Sequence, residues 1–297
     1  MRRRDLVKRI SLLVAGSIVG TTAVKAEAPR QPVLRIAHLT DMHLPEKKPE
    51  VTERVKGILA QIRKQKIDFF LNGGDTIMDA SYDDVTREKM LAQWEVFDTV
   101  RQSIKDYELH SCIGNHDCWW AAPDKADEMY GKDYVVKRLG IPSRYYSFDR
   151  KGWHFIILDG NNKNTTLDDE QFQWLENDLS ALKPATPVLL MSHFPVFGAT
   201  PILVGGNHSD NGKLKTLFYK NKDKVRIMLS GHNHLYDETI YNGVKYCCNG
   251  ALSGFWWGDG DDKSAGKGYY YETAPGYAIL NLYADGTVEN NYIQHKF

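Results

Sequence analysis

Spare positive charge is what this sequence lacks most. Its 38 Lys and Arg are matched by 38 Asp and Glu. Six of the basic residues (Arg2, Arg3, Arg4, Lys8, Arg9, Lys25) crowd into residues 1–26, against Asp5 alone. The remainder carries 32 basic and 37 acidic side chains. A mildly acidic body argues against nonspecific nucleic-acid binding, whose affinity rests on Lys and Arg neutralising phosphates. Unbroken apolar runs are missing too. The stretch Ile10 to Val24 is interrupted by Gly16, Gly20, Thr21 and Thr22, and is too short and poorly flanked for a spanning helix. Repeats and low-complexity tracts are absent. Cysteine is scarce, with four. Cys247 and Cys248 are adjacent in an apolar run, and Cys112 and Cys118 flank a turn. A Cys112–Cys118 disulfide and buried free thiols both stay open at this stage.

What is present is ordinary for a soluble globular chain: 42% hydrophobic and 26% charged residues. Sixteen Tyr and seven Trp suit either an aromatic-lined surface or core filling. Residues 1–28 read as an address. Their basic start contains Arg3-Arg4-Asp5-Leu6-Val7-Lys8, which resembles a twin-arginine export signal. Cleavage is expected after Ala26 or Ala28, leaving residues 29–297 as one domain exported to the periplasm. An uncleaved leader would tether it to the membrane. The twin-arginine machinery carries folded proteins, which suits an enzyme that takes up metals before export.

Short apolar runs alternate with helix-like segments, the pattern of an α/β layered domain. Strands are predicted at Val33–Leu39, Phe69–Asn72, Leu109–Ile113, Tyr145–Phe148, His154–Leu158, Val188–Ser192, Arg226–Ser230, Thr239–Tyr241, Lys245–Cys248, Tyr277–Tyr283 and Val288–Gln294. Helices are predicted at Thr52–Lys66, Asp84–Lys105, Asp124–Leu139, Asp168–Leu182 and Lys213–Lys220. Residues 251–276, rich in Gly and aromatics, are expected to form a loop over a site.

Five motifs each follow a predicted strand: Asp41-Met42-His43, Gly74-Asp75, Gly114-Asn115-His116-Asp117, His193, and Gly231-His232-Asn233-His234. Ligands of open α/β sheets bind beyond the carboxyl ends of the strands, so all five point to one edge. Singly, each has a bland reading: a chance Asp-x-His, a satisfied core histidine, a turn. Together Asp41, His43, Asp75, Asn115, His193, His232 and His234 form a nitrogen and oxygen donor set without cysteine. Such a set suits Zn, Mn or Fe. Seven donors exceed what one catalytic metal takes and fit two ions sharing a carboxylate. Gly74, Gly114 and Gly231 are read as allowing sharp turns.

These motifs resemble those of the calcineurin-like metallophosphoesterases, from Ile36 to about Gly250. The resemblance implies a four-layer α/β/β/α sandwich of two mixed sheets flanked by helices. It implies one metal on Asp41, His43, Asp75 and His234, and a second on Asp75, Asn115, His193 and His232. It also implies in-line attack by metal-bound hydroxide. His116 would protonate the leaving oxygen, Asn115 orient phosphate, and Asp117 orient His116, although a solvent-facing or helix-start role suits Asp117 equally.

Within that family, His43 and Met78 stand where purple acid phosphatases place Gly and Tyr. No arginine follows Asp75 as it does in Ser/Thr phosphatases. The chain is most similar in pattern to class III cyclic nucleotide phosphodiesterases and related small bacterial phosphoesterases. Trp119, Trp120, Phe255, Trp256 and Trp257 are candidates to rim the substrate pocket by stacking, and His208 is a further candidate. The expected substrate is a small phosphodiester or phosphomonoester. The alternatives are a nuclease, a lipid-head-group phosphoesterase, or a noncatalytic phosphate-binding protein.

Overall fold

A computed structural model describes residues 30–253 and 273–295. Residues 1–29, which hold the expected leader, and most of the 251–276 stretch expected to be a loop, including Phe255, Trp256 and Trp257, lie outside the described residues. The apolar runs form strands β1 (Leu34–Leu39), β2 (Phe69–Asn72), β3 (Leu109–Ser111), β4 (Tyr146–Arg150), β5 (Trp153–Ile157) and β6 (Val188–Met191). The series continues with β7 (Val225–Ser230), β8 (Asp237–Tyr241), β9 (Val244–Cys248), β10 (Gly276–Leu282) and β11 (Val288–Gln294). They assemble into two mixed sheets, ordered β11-β10-β1-β2-β3 and β4-β5-β6-β7-β9-β8. Inside the first, β1, β2 and β3 run parallel. Inside the second, β5, β6, β7 and β9 run parallel. Parallel neighbours send their carboxyl ends the same way, and that is how each sheet gathers motifs at one edge.

Side-chain alternation decides the layers. Phe155, Ile157, Leu189, Met191, Ile227 and Leu229 face the core shared with the first sheet. Their neighbours Ile156, Leu190 and Met228 face the opposite way, against helices α4 (Asp169–Ala181) and α6 (Asn211–Lys220) through Leu175, Leu179, Leu214 and Phe218. Helices α1 (Pro49–Arg63) and α2 (Arg87–Gln102) add Val55, Leu59, Trp94 and Phe97 to the first core. The expected two mixed sheets flanked by helices are observed.

Three local expectations need correction. The helix expected over 124–139 is only α3 (Lys132–Leu139). Asp124 and Asp127 each accept a backbone N–H two residues on, from Ala126 and Met129 at 2.8 Å, and Gly131 sits at φ 74°. These Asx turns compete with helix. α2 starts at Arg87 rather than Asp84, because the Thr86 hydroxyl caps it by accepting from Lys89 N at 3.2 Å. A short helix α5 (Ala199–Val204) was not anticipated. The four cysteines are unpaired and buried. Among the described residues, no helix is long and apolar enough to cross a membrane.

Candidate metal centre

Three of the five motifs leave their strands through backbone that L residues rarely adopt. Asp41, His43, Asp75, His232 and His234 all lie at positive φ, between 42° and 69°. Left-handed backbone at a non-glycine residue costs roughly 1–2 kcal/mol, and such strain gathers at functional sites. The turns are braced against one another: Asp41 N donates to Gly74 O and His43 N to Asp75 O, both at 3.0 Å. Gly114 and Gly231 correct the turn reading, since neither has positive φ. They are glycine for lack of room. A Cβ on Gly114 would collide with Asp75, and one on Gly231 with Thr40 and Asp41.

Two groups of donor atoms result. Asp41, His43, Asp75 and His234 offer ligand atoms within 4.8 Å of one another, and so do Asp75, His193 and His232. Asp75 belongs to both. Asn115 joins the second, its Oδ1 lying 3.0 Å from His193 Nε2. All seven expected donors therefore converge.

The fit to a cation follows from tautomers. A carbonyl only accepts, so His193 Nδ1–H donates to Gly73 O at 2.8 Å and His43 Nδ1–H to Met78 O at 3.1 Å. In the neutral imidazoles, both Nε2 atoms then present lone pairs inward. His193 Nε2 faces Asp75 Oδ2 at 3.1 Å and His43 Nε2 faces it at 3.6 Å. Lone pairs aimed at carboxylate oxygens repel unless positive charge lies between them. The second-nitrogen hydrogen bonds are those that orient metal-binding histidines.

Titration behaviour agrees. Burial pushes His43 down to about 4. Burial and the neighbouring His193 push His232 down to about 3. Both are thus neutral, the form that ligates. Burial also opposes charge on His193, yet Asp75, Asp41 and the Gly73 carbonyl lift it to about 9: this pocket favours a positive charge. Burial works against ionised Asp75 and Asp41 as well, but the surrounding histidines hold both carboxyls below their usual range.

His116 stands beside this cluster, its ring 5.2 Å from that of His43. Its side chain is 23% exposed, and Nδ1 lies 3.2 Å from Asp79 Oδ1. Burial lowers its affinity for a proton, but Asp79 and Asp75 outweigh that and raise it above the ordinary value. Asp79 was missed in the sequence, where it lies in the unremarkable run after Asp75.

Asp117 does not orient His116. It is fully buried, accepting from Thr76 N at 2.7 Å and Gly114 N at 2.8 Å, and so ties the second and third motifs together. Burial and the Asp75 charge push it up to about 6. Trp119 is 2% exposed and donates its indole N–H to Val85 O at 2.8 Å; it packs a loop rather than rimming the pocket. Trp120 is 40% exposed and packs edge-on against Tyr130. His208 is fully buried between Ser192 Oγ at 2.9 Å and Asp210 Oδ1 at 3.2 Å, which is a structural setting.

The family model for calcineurin-like phosphoesterases matches residues 34–236. A 3′,5′-cyclic-nucleotide phosphodiesterase of Nostoc sp. is 26% identical over 272 residues, covering 86% of this chain and 90% of its own. The 3′,5′-cyclic adenosine monophosphate phosphodiesterase CpdA of Escherichia coli is 25% identical over 268 residues, covering 86% and 87%. A probable purple acid phosphatase of Arabidopsis thaliana is 26% identical over 201 residues, covering 63% of this chain and 43% of its own. Among solved structures, a dimetal phosphatase from Danio rerio superposes with a TM-score of 0.62 at 14% identity, covering 86% and 94%. At that identity the likeness concerns the fold alone.

Proposed function

The chain belongs to the calcineurin-like phosphoesterase family and is a metal-dependent phosphoric ester hydrolase; we propose that it is an exported enzyme using two metal ions to cleave a small phosphodiester or phosphomonoester. The observation that carries this reading is the pair of donor groups sharing Asp75, with His43 and His193 turned by their Nδ1 hydrogen bonds so that Nε2 faces inward. Asp41, His43, Asp75 and His234 would hold one ion, and Asp75, Asn115, His193 and His232 the other. The donor set suits Fe, Mn or Zn. When bound, such a pair polarises phosphoryl oxygens and activates water at neutral pH.

The chain's own residues do the rest. The Asn115 amide orients the phosphoryl group from beside His193. His116, with Nδ1 engaged by Asp79, keeps Nε2 for the ester and delivers a proton to the departing oxygen. Asp117 bonds Gly114 N and holds the loop that carries both residues. The cyclic-nucleotide activity of the two relatives matched along most of their length favours a phosphodiester. The basic leader, with its Arg-Arg-x-Leu-Val-Lys run, supports twin-arginine export to the periplasm.

The test is a screen of purified protein loaded in turn with Mn, Zn and Fe. The substrates are phosphomonoesters, cyclic nucleotides, dinucleotides and glycerophosphodiesters. Two metal equivalents per chain with diester turnover is the expected result. Undiminished turnover in Asp75→Asn, or after complete chelation, would overturn the reading.

A further inference from the structure

Resting on the phosphoesterase reading above, we propose that Tyr82 is a stacking platform for the departing half of the substrate. The ester cleaved is then one whose leaving alcohol carries an aromatic or heteroaromatic ring. Tyr82 is 62% exposed, in a chain that buries most of its large apolar side chains. Its ring lies 6.0 Å from the His116 ring at 73°. Among the described residues, the other exposed aromatic rings are engaged elsewhere: Trp120 on Tyr130, Tyr236 on Tyr292, Tyr241 on Phe197, and Tyr219 under the Lys222 ammonium.

The exposed ring sits on a fixed backbone. Asp79 Oδ1 accepts from Ser81 N at 2.7 Å and from Ser81 Oγ at 2.8 Å. Ala80 N donates to His116 O at 2.8 Å, and Val85 N to Tyr82 O at 3.2 Å. One turn therefore carries both the carboxylate that engages His116 and the ring beside it. Ordering a side chain on a rigid turn removes part of the entropy that stacking would otherwise cost.

The location selects which half of the ester is read. His116 Nδ1 faces Asp79, so Nε2 is the nitrogen available to the leaving oxygen. A ring attached to that oxygen comes within reach of Tyr82. A ring on the retained ester oxygen would project from the equatorial plane, off the line that joins the attacking and leaving oxygens, and so farther from His116. A nucleoside alcohol is one member of the class this geometry fits. An aliphatic polyol alcohol is not.

The experiment uses the metal-loaded full chain and three probes that compete with bis(p-nitrophenyl) phosphate hydrolysis: benzylphosphonate, cyclohexylmethylphosphonate and inorganic phosphate. The two phosphonates match in size and charge and differ in the flat aromatic face. The readout is the ratio of their Ki values, in which any change of metal occupancy cancels. The unsubstituted protein should favour the benzyl probe. Tyr82→Leu should shrink that preference by roughly 5- to 100-fold, the range that loss of one aromatic stack spans, and Tyr82→Phe should retain it. Absence of a benzyl preference, or the same ratio in Tyr82→Leu, overturns the assignment of Tyr82. If the metal-loaded chain does not hydrolyse bis(p-nitrophenyl) phosphate at all, the phosphoesterase reading itself has failed.

Discussion

The substitution Asp79→Asn tests whether the carboxylate works on the leaving group through His116. The amide side chain keeps an oxygen to accept from Ser81. The backbone of the position keeps the Gln93 Oε1 contact to Asp79 N at 2.7 Å and the Gln93 Nε2 contact to Asp79 O at 2.9 Å. Only the charge facing His116 Nδ1 at 3.2 Å is lost. A hydrogen bond to a charged group contributes about 1.5–3 kcal/mol and a neutral one about 1. The difference of roughly 0.5–2 kcal/mol changes the ratio of imidazolium to imidazole by about 2- to 30-fold. The sign is fixed by His116 needing its proton. Asp79 raises the His116 pKa, so the rate falls as pH rises through that value, and without the charge the fall begins at lower pH. The assay is kcat against pH for two diesters, one losing an alkoxide and one losing p-nitrophenolate. For the alkoxide, the deficit of the variant should approach the full ~2- to 30-fold on the alkaline side and vanish on the acid side. p-Nitrophenolate leaves without a proton, and its profile should barely move. An identical deficit for both esters at every pH would refute the reasoning, since Asp79 would then act on the metals or on folding.

Two further outcomes follow. His154 is buried, with Nδ1 2.8 Å from Asp149 and Nε2 2.8 Å from Asp178, so only the imidazolium satisfies both carboxylates. Burial lowers its pKa but the two aspartates raise it overall above 6.5; the stabilisation is complete below that value and is lost as pH climbs through the raised one. The Tm should therefore decline across that window, and His154→Gln should flatten it; an unchanged slope in the variant counts against the ion pair. Removing metals with a chelator should lower Tm by roughly 5–10 °C, from about 2.7 kcal/mol at a hundredfold excess over Kd and 2–4 °C per kcal/mol. A Tm indifferent to chelation in protein shown to be metal-free would deny that the site binds a cation in the folded state.

The strands were legible because Val188–Met191 or Val225–Ser230 read as buried apolar runs ending at polar motifs. The donors were legible for the same reason: parallel strands deliver their termini to one edge. Asp79 was not legible, because its partner His116 reaches it only through the pairing of β2 with β3, which nothing in the local sequence announces. Trp119 misled because adjacency to Gly114-Asn115-His116 says nothing of direction, and Val85 O draws its indole inward. Asp117 misled likewise, since its carboxylate turns toward the backbone of Thr76. The false start of the third helix lies at Asp124 and Asp127, each of which folds the chain onto itself.

Asp41, Asp75 and Asn115 are supplied by strands of one sheet, and His193, His232 and His234 by strands of the other. The pocket is thus a joint between two slabs, and no slab holds a complete set. The spacing of the two donor groups is then a property of how the slabs dock through core side chains such as Phe155, Leu189 and Ile279. A substitution in that shared core can therefore shift donor atoms it never touches.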